Sequence, residues 1–137
     1  MKRVLGEIDW DVSTQDRGYY LFEENNRNIF ALRPDIVVTR EDGRQIIMDT
    51  KWKRLINDGG KNYGISQADM YQMFAYSKKY NTPDIWLLYP KTEEIAQHED
   101  ITFKSYEVDG SYVNVSLFFV DVTDIEMSLK KLRSKLV

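Results

Sequence analysis

The stretch RPDIVVTREDGRQIIMDTKWK, residues 33–53, holds the pattern that decides the fold. Two apolar runs flank a turn signal, EDG, so the stretch predicts two strands joined as a hairpin. Three charged residues, Asp35, Asp49 and Lys51, lie within or beside these apolar runs. A charge in a buried strand is costly unless it is paired or binds a metal ion. The hairpin therefore predicts both a part of the core and a place where chemistry occurs.

The length of the turn decides which side chains of the hairpin share a face. Side chains alternate across a strand, and a two-residue turn would set Asp49 opposite Ile36, mixing charge with the apolar face. A three-residue loop that ends at Gly43 separates charge from apolar residues, and glycine suits the left-handed position of such loops. We therefore predict the three-residue loop. The predicted pairs are Arg40 with Arg44, Val38 with Ile46, Ile36 with Met48, and Asp35 with Asp49.

Two carboxylates that face each other across a strand pair repel, so something should offset the charge. Lys51 is one candidate, and a divalent cation is the better one, because carboxylate oxygens with water and phosphate suit Mg²⁺ or Mn²⁺. Lys51 could then orient an attacking water or help to deprotonate it, which describes metal-assisted phosphodiester hydrolysis. The alternative is a structural ion pair of Asp35, Asp49 and Lys51 on a solvated sheet face.

The composition narrows the class of protein. A chain of 137 residues suits one domain, 1–137, and 42% hydrophobic residues can form a core, which we place at about 19–122. The net charge of −3 argues against a strongly basic nucleic-acid binder, but an enzyme can still meet DNA through a local patch and a metal ion. The chain has no cysteine and one histidine, which excludes a multi-histidine or thiolate zinc site. Without an apolar run long enough to span a membrane or a signal peptide, we expect a cytoplasmic protein with no membrane partner.

The remaining sequence predicts a mixed α/β domain with a central mixed sheet flanked by helices. Residues 1–18 carry no clear pattern, and Trp52 is expected in the core. The helix over 65–80 is apolar on most sides, which predicts burial between layers. A capping box, Thr123 with Glu126, predicts a C-terminal helix at about 124–136. Further strands are predicted at 19–24, in an extended run over 28–39, and at 84–90, 101–108 and 112–122, with a turn at 109–111.

The phrases RPDIVV and IIMDTKWK resemble the core motif of the PD-(D/E)XK nucleases. Gln67-x-x-x-Tyr71 resembles the Q-x-x-x-Y element of the RecB-like branch, which implies that both residues support the site or contact the DNA backbone. Together with QADMYQMFAYSKKY, the chain over about 20–90 is most similar to the nuclease domain of McrC-type subunits of McrBC methylated-DNA restriction systems. The resemblance implies a restriction-endonuclease-like core.

The resemblance also implies a role for each residue of the hairpin. Asp35 and Asp49 would bind Mg²⁺ or Mn²⁺, together with the backbone carbonyl of Thr50. Lys51 would position the attacking water and stabilise developing charge. PD-(D/E)XK nucleases often take a further acidic ligand from an N-terminal helix, and the candidates here are Glu7, Glu23 and Glu24.

The implied activity is that of a Mg²⁺-dependent endonuclease that cuts DNA as the cleavage module of a McrBC-like system. The implied partners are DNA, a McrB-like AAA+ GTPase and a second copy of the chain, since two strands must be cut. The rival hypothesis keeps the same fold but assigns weak or no catalysis, which leaves a DNA-binding or assembly module.

Overall fold

Eight strands and two α-helices are present in the part of the chain that the computed structural model describes, residues 11–14, 18–55, 61–92 and 101–136. A short 3₁₀ helix, Lys61–Gly64, precedes the first α-helix. The helices are α1, Gln67–Tyr80, and α2, Ile125–Leu136. The strands are β1 Asp11–Thr14, β2 Tyr19–Glu24, β3 Arg27–Leu32, β4 Ile36–Thr39, β5 Gln45–Thr50, β6 Asp84–Pro90, β7 Thr102–Tyr106 and β8 Tyr112–Val120.

Six of these strands form one mixed sheet in the order β1-β4-β5-β6-β8-β7. The two inner pairs, β5 with β6 and β6 with β8, are parallel, and the outer pairs are antiparallel. Helix α1 connects β5 to β6, as a parallel pair requires a crossover. Strands β2 and β3 form a separate antiparallel ribbon. The mixed α/β fold with a central sheet, consistent with a restriction-endonuclease-like core, is confirmed.

The alternation of side chains along the strands builds two cores, one on each face of the sheet. Ile47 and Leu87 lie in the core that contains Met73 of α1, whereas Met48 lies with Leu132 of α2 on the other face. The two helices therefore cover opposite faces. No helix among the described residues is both long and apolar enough to cross a membrane.

The predicted register of the β4–β5 hairpin is confirmed. Ile36 pairs with Met48 and Val38 with Ile46, and Arg40 O accepts from Gly43 N at 2.9 Å. Gly43 has φ +86°, the left-handed conformation that the three-residue loop requires. The ladder is closed by a hydrogen bond of 2.8 Å from Arg40 N to Arg44 O.

Helix α1 differs from the sequence prediction in its burial. It begins after Ser66, whose side chain accepts a hydrogen bond from the Asp69 N–H, rather than at residue 65. It buries one face only, and Tyr71 on another face is 66% exposed. The prediction of burial between layers is wrong, because the sheet lies on one side of α1 and the other apolar residues of the helix remain at the surface. Its buried residues are Met73, Tyr76, Ser77 and Tyr80.

Three further expectations change in the structure. The extended run over 28–39 is two strands, β3 in the separate ribbon and β4 in the main sheet, and Pro34, which has no N–H to donate, lies between them. Strand β1, in a stretch without an assigned element, adds an edge to the main sheet. At α2, Asp124 Oδ1 accepts from Met127 N at 3.3 Å, so Asp124 caps the helix. The capping-box prediction for Thr123 is wrong, because the Thr123 hydroxyl donates to Asp121 instead.

Candidate functional site

Asp35 and Asp49 lie opposite each other at the open end of the β4–β5 hairpin. Asp49 is the penultimate residue of β5, with 4% exposure, and the register extended by one residue places Asp35 opposite it. The Asp35 N–H donates to Asp49 Oδ1 at 3.2 Å. Burial, and then the charges of Asp49 and Asp35, raise the pKa of the Tyr76 hydroxyl on α1. Asp35 and Asp49 each lie two residues from a member of the core on the α1 side, Val37 and Ile47, so strand alternation places both on that side of the sheet.

Thr50 fixes the carboxylate of Asp35 in this position. Asp35 Oδ2 accepts a hydrogen bond of 2.8 Å from the Thr50 N–H and a second of 2.7 Å from its hydroxyl. Backbone and side chain thus bond in both directions across the hairpin. The Asp49 carboxylate accepts from the Asp35 N–H, and the Asp35 carboxylate accepts from the Thr50 N–H. Two such bonds hold the orientation of a carboxylate that would otherwise rotate freely.

Lys51 joins β5 to helix α1. Its Nζ lies 2.9 Å from Asp49 Oδ2 and 3.4 Å from Asp69 Oδ1, and it donates to Gln72 Oε1 at 2.9 Å. The backbone of Lys51 is held as well, because its N–H donates to Leu88 O at 2.9 Å and so continues the ladder to β6. The side chain is one-fifth exposed, so the ammonium group is partly open to solvent.

The electrostatics of the site follow from this burial and pairing. Burial raises the pKa of the Asp49 carboxyl above its ordinary value, and the nearby Asp35 charge adds to the effect, although Lys51 opposes it. Burial lowers the pKa of the Lys51 ammonium, but its hydrogen bond and charge interactions with Asp49 and Asp69 outweigh this, so that the net shift is upward. At neutral pH, Lys51 is therefore a cation.

Gln67 and Tyr71 contact each other on helix α1. The Gln67 side-chain amide donates to the Tyr71 hydroxyl at 2.6 Å, as their spacing of one helical turn allows, and both residues are exposed. They line a cavity of about 440 Å³ with Phe103 of β7. The contacts described for these two side chains do not join them to Asp49 or Lys51.

The three candidates for a further acidic ligand, Glu7, Glu23 and Glu24, differ in where they lie. Glu7 lies outside the described residues. Glu23 and Glu24 are on β2 and are exposed. Over residues 11–14, 18–55, 61–92 and 101–136, no cluster of three or more His, Cys, Asp or Glu side chains could hold a metal ion.

Trp52 is exposed to solvent, and the prediction of a core position is wrong. Its exposed fraction is 73%. Strand β5 ends at Thr50, so the alternation that would have turned Trp52 toward the α2 face no longer applies. Beyond it, Lys53 Nζ donates to Gly64 O at 2.8 Å, which ties this segment to the 3₁₀ helix.

The donor set at the hairpin suits a hard divalent cation. Mg²⁺ keeps several waters and is commonly bound through one or two carboxylates with substrate phosphate, at oxygen ligands. Asp35 and Asp49 supply two carboxylates, one of them buried, and burial raises the pKa of the Asp49 carboxyl although Lys51 lowers it. These two carboxylates are oxygen donors of the kind that Mg²⁺ or Mn²⁺ takes.

The motifs found in the sequence do not identify two residues of the cluster, Asp69 and Gln72. Both lie on α1, three residues apart and so on one face, and both contact Lys51. A signal for Asp69 exists: it lies four and seven positions before the buried Met73 and Tyr76, on the face that meets the sheet. Its contact with Lys51 depends on how α1 packs, which a linear pattern does not reveal.

Comparison with known proteins gives one family and one fold. Residues 2–90 match the family model described as McrBC 5-methylcytosine restriction system component. The fold is similar to a chain in the solved half-complex from a tetradecameric assembly of Thermococcus gammatolerans McrB AAA+ hexamers with bound McrC, with TM-score 0.66 and 14% identity. That match covers 99% of this chain and 31% of the solved one, so the chain spans about a third of that length. No curated protein matches the chain.

Proposed function

The chain belongs to the family of McrBC 5-methylcytosine restriction system components, and from that premise we propose that it is a PD-(D/E)XK-type, metal-dependent DNA endonuclease module. The observation that carries the proposal is the apposition of Asp35 and Asp49 across the hairpin, with the Asp35 N–H 3.2 Å from Asp49 Oδ1 and Lys51 Nζ 2.9 Å from Asp49 Oδ2. A site that serves only stability gains little from two facing carboxylates, one of them buried.

Asp35 and Asp49 would hold Mg²⁺, with the Thr50 carbonyl as a further ligand. When bound, Mg²⁺ supplies Lewis-acid stabilisation of the charge that develops on the scissile phosphate. The hydrogen bonds from Thr50 to Asp35 and from Asp35 to Asp49 keep the two carboxylates in place before the ion arrives. Preorganised ligands of this kind lower the cost of assembling the site.

Lys51 acts as a cation and hydrogen-bond donor. Its carboxylate partners raise the pKa of the Lys51 ammonium, which favours a role as a cation over a role as the general base. Its ammonium N–H groups can orient an attacking water and stabilise negative charge on the phosphate oxygens. This refines the sequence-based hypothesis, in which Lys51 either orients or deprotonates the water.

DNA would approach an acidic protein through a local basic surface. Lys53 and Arg54 follow the site directly and are exposed, next to the exposed indole of Trp52. Lysine and arginine side chains at such a place neutralise phosphates, which makes binding sensitive to salt. A McrB-like AAA+ partner is part of the proposal, because the similar fold occurs in an assembly of McrB AAA+ hexamers with bound McrC. A second copy of the chain would supply the second cut.

One observation favours the rival hypothesis of a weakly active or inactive module. Lys51 already pairs with Asp49, and the described part of the chain holds no group of three or more His, Cys, Asp or Glu side chains that could bind a metal ion. An inactive relative could keep this ion pair as a structural feature and bind DNA or a partner without a metal ion. The rival therefore predicts no specific binding of Mn²⁺ at the hairpin.

Metal binding separates the two hypotheses. A ligand present at about 100 times its Kd stabilises a folded protein by about 2.7 kcal/mol, which raises the Tm of a domain this size by several degrees. We expect this shift with Mn²⁺ for the wild type, a much smaller one for Asp49→Asn, and a wild-type shift for Asp42→Asn. Asp42 is a matched control, because its carboxylate lies in the exposed turn and pairs with Arg44. An equal shift in all three proteins, or none, would contradict the proposal.

A further inference from the structure

We propose that the β2–β3 ribbon is an apolar wedge for DNA. Its two exposed phenylalanines, Phe22 and Phe30, insert between stacked bases close to the phosphate that is cut. This inference rests on the proposed function, because it takes DNA as the substrate of the hairpin site. It supplies a contact to the bases, whereas the carboxylates and Lys51 act on the phosphate.

The two phenylalanines form an exposed pair on the ribbon. Phe22 of β2 is 65% exposed, and Phe30 of β3 is 66% exposed. Their ring centroids lie 6.1 Å apart and the ring planes are at 85°, so the rings meet edge to face. Each ring leaves apolar surface in water that burial against a ligand would stabilise. Exposed apolar side chains that cluster in this way mark contact surfaces.

The backbone conformation of Phe30 brings its ring into this pair. In a regular ribbon Phe30 would stand opposite Leu21, on the face that packs against the core. Phe30 instead has φ +58°, a left-handed conformation that bulky residues rarely adopt. The ladder pairs Tyr20 with Ala31 and Phe22 with Ile29, but it does not pair Leu21 with Phe30. A strained residue that gains no burial from its strain points to a function outside the fold.

The ribbon is held at its base, so the phenylalanines are presented at a fixed place. Tyr19 packs on Tyr80 of α1, with ring centroids 4.3 Å apart. Leu32, at the end of β3, is buried in the core on the α1 side. At the far end, Asn25 and Asn26 both have positive φ, as a tight two-residue turn between strands requires.

The ribbon leads directly into the proposed nuclease site. Phe30 precedes Asp35 by five residues. Five residues of fully extended chain span at most about 18 Å. Along duplex DNA, this distance corresponds to about five base pairs at 3.4 Å each. A duplex whose phosphate is held at Asp35 therefore lies within reach of the phenylalanine pair.

This continuity with the site favours DNA over a protein as the ligand of the pair. Proteins that deform DNA insert apolar side chains, phenylalanine among them, between base steps, and two-stranded ribbons enter the grooves of DNA. The ribbon carries two acidic residues, and one of them, Glu24, lies opposite Arg27 in the ladder. The ribbon therefore gains little from phosphate contacts, and we expect its contribution to come from stacking on bases.

A short duplex with 2-aminopurine at a central TA step, which unstacks easily, tests the wedge. Binding is measured in EDTA so that no cleavage intervenes. We expect the fluorescence to rise when the wild type binds, because 2-aminopurine is brighter when unstacked. Phe22→Ala and Phe30→Ala should lose most of this rise and weaken binding by roughly 5- to 100-fold, as the loss of base–aromatic stacking does. The dependence of Kd on salt should stay the same, since no phosphate contact is removed.

Tyr106→Ala is the matched control for these variants. Tyr106 is 72% exposed and lies on β7, at the opposite edge of the sheet from β1 and β4, so its loss should leave binding unchanged. Wild-type affinity and fluorescence in both phenylalanine variants, or no rise with the wild type, would overturn the proposal. If both variants bound DNA normally but sedimented as a smaller species than the wild type, the pair would serve contact between copies and the proposal would fail.

Phe30→Gly separates the wedge from a role in the fold. Glycine adopts positive φ without strain, so the Tm should equal or exceed that of the wild type while DNA binding weakens as in Phe30→Ala. A Tm lower by several degrees would show that the ring serves the fold, and would overturn the proposal. Wild-type protein that unstacks the duplex through the pair but never nicks plasmid with Mg²⁺ would overturn the proposed function and leave the wedge supported. Nicking by the wild type, with full binding by both alanine variants, would do the reverse.

Discussion

At the scale of the residue, the decisive feature is that Asp49 is a buried carboxylate opposite a second one, Asp35. The carboxylate is buried, faces Asp35 across the hairpin, and has a raised pKa despite its contact with Lys51. Its position was predictable from the sequence, because strand alternation and the left-handed Gly43 fix the register. The exposure of Trp52 was not predictable in this way, because alternation says nothing beyond the end of a strand.

The raised pKa of Asp49 predicts a pH dependence of stability in the metal-free protein. The folded state binds this proton more tightly than the unfolded state, whose pKa is near 3.8. The contribution of Asp49 is therefore most favourable below that pH and is lost as the pH rises through the raised folded pKa. In EDTA, the wild type should lose stability relative to Asp49→Asn over this window. Urea unfolding at a series of pH values measures the difference, and a difference that is constant or opposite in sign would contradict the assignment.

A second residue-scale prediction concerns Trp52. Because its side chain is 73% exposed, Trp52→Ala should change the free energy of unfolding by no more than about 0.5 kcal/mol. Met48→Ala, in the same strand region but fully buried, should cost about 2–5 kcal/mol. Chemical denaturation of both variants makes the comparison. If Trp52→Ala lowered the free energy of unfolding as much as Met48→Ala, the exposed position of Trp52 would be contradicted.

At the scale of the element, helix ends are set by local competition between hydrogen bonds. The sequence predicts both α-helices and their approximate bounds, because apolar periodicity and stop signals are strong. It misplaces the cap of α2 by one residue, because Asp121 binds the Thr123 hydroxyl at 2.6 Å and the capping role passes to Asp124. The capping-box motif considers only Thr123 and Glu126, and it does not take account of Asp121 as a competing acceptor for the Thr123 hydroxyl.

Because Asp124 rather than Thr123 caps α2, we predict that substitutions at these two positions lower the free energy of unfolding by different amounts. Asp124→Ala should lower the free energy of unfolding by about 1 kcal/mol, as the removal of an N-cap side chain does. Thr123→Ala should cost less than about 0.5 kcal/mol, since it removes an exposed bond outside the helix. Urea midpoints of the two variants give the comparison. A larger loss for Thr123 would support the original capping box.

At the scale of the whole molecule, the fold assembles the site from parts that are distant in sequence. The central parallel strands bring Lys51 beside β6, and the packing of α1 on the sheet brings Asp69 and Gln72 to it. The sequence predicts the mixed α/β class, but no local pattern predicts the strand order or the edge strand β1. Strand order depends on long-range packing, and for that reason the α1 contacts to Lys51 emerge only from the three-dimensional structure.

The central claim is that Asp35, Asp49 and Lys51 form a metal-dependent nuclease site, and cleavage of supercoiled plasmid tests it most directly. Wild type, Asp49→Ala and Lys51→Ala would be compared with Mg²⁺, with Mn²⁺ and with EDTA. We predict nicking by the wild type that requires the metal ion and is lost in both variants. Equal nicking by all three proteins, or nicking that persists in EDTA, would contradict the claim.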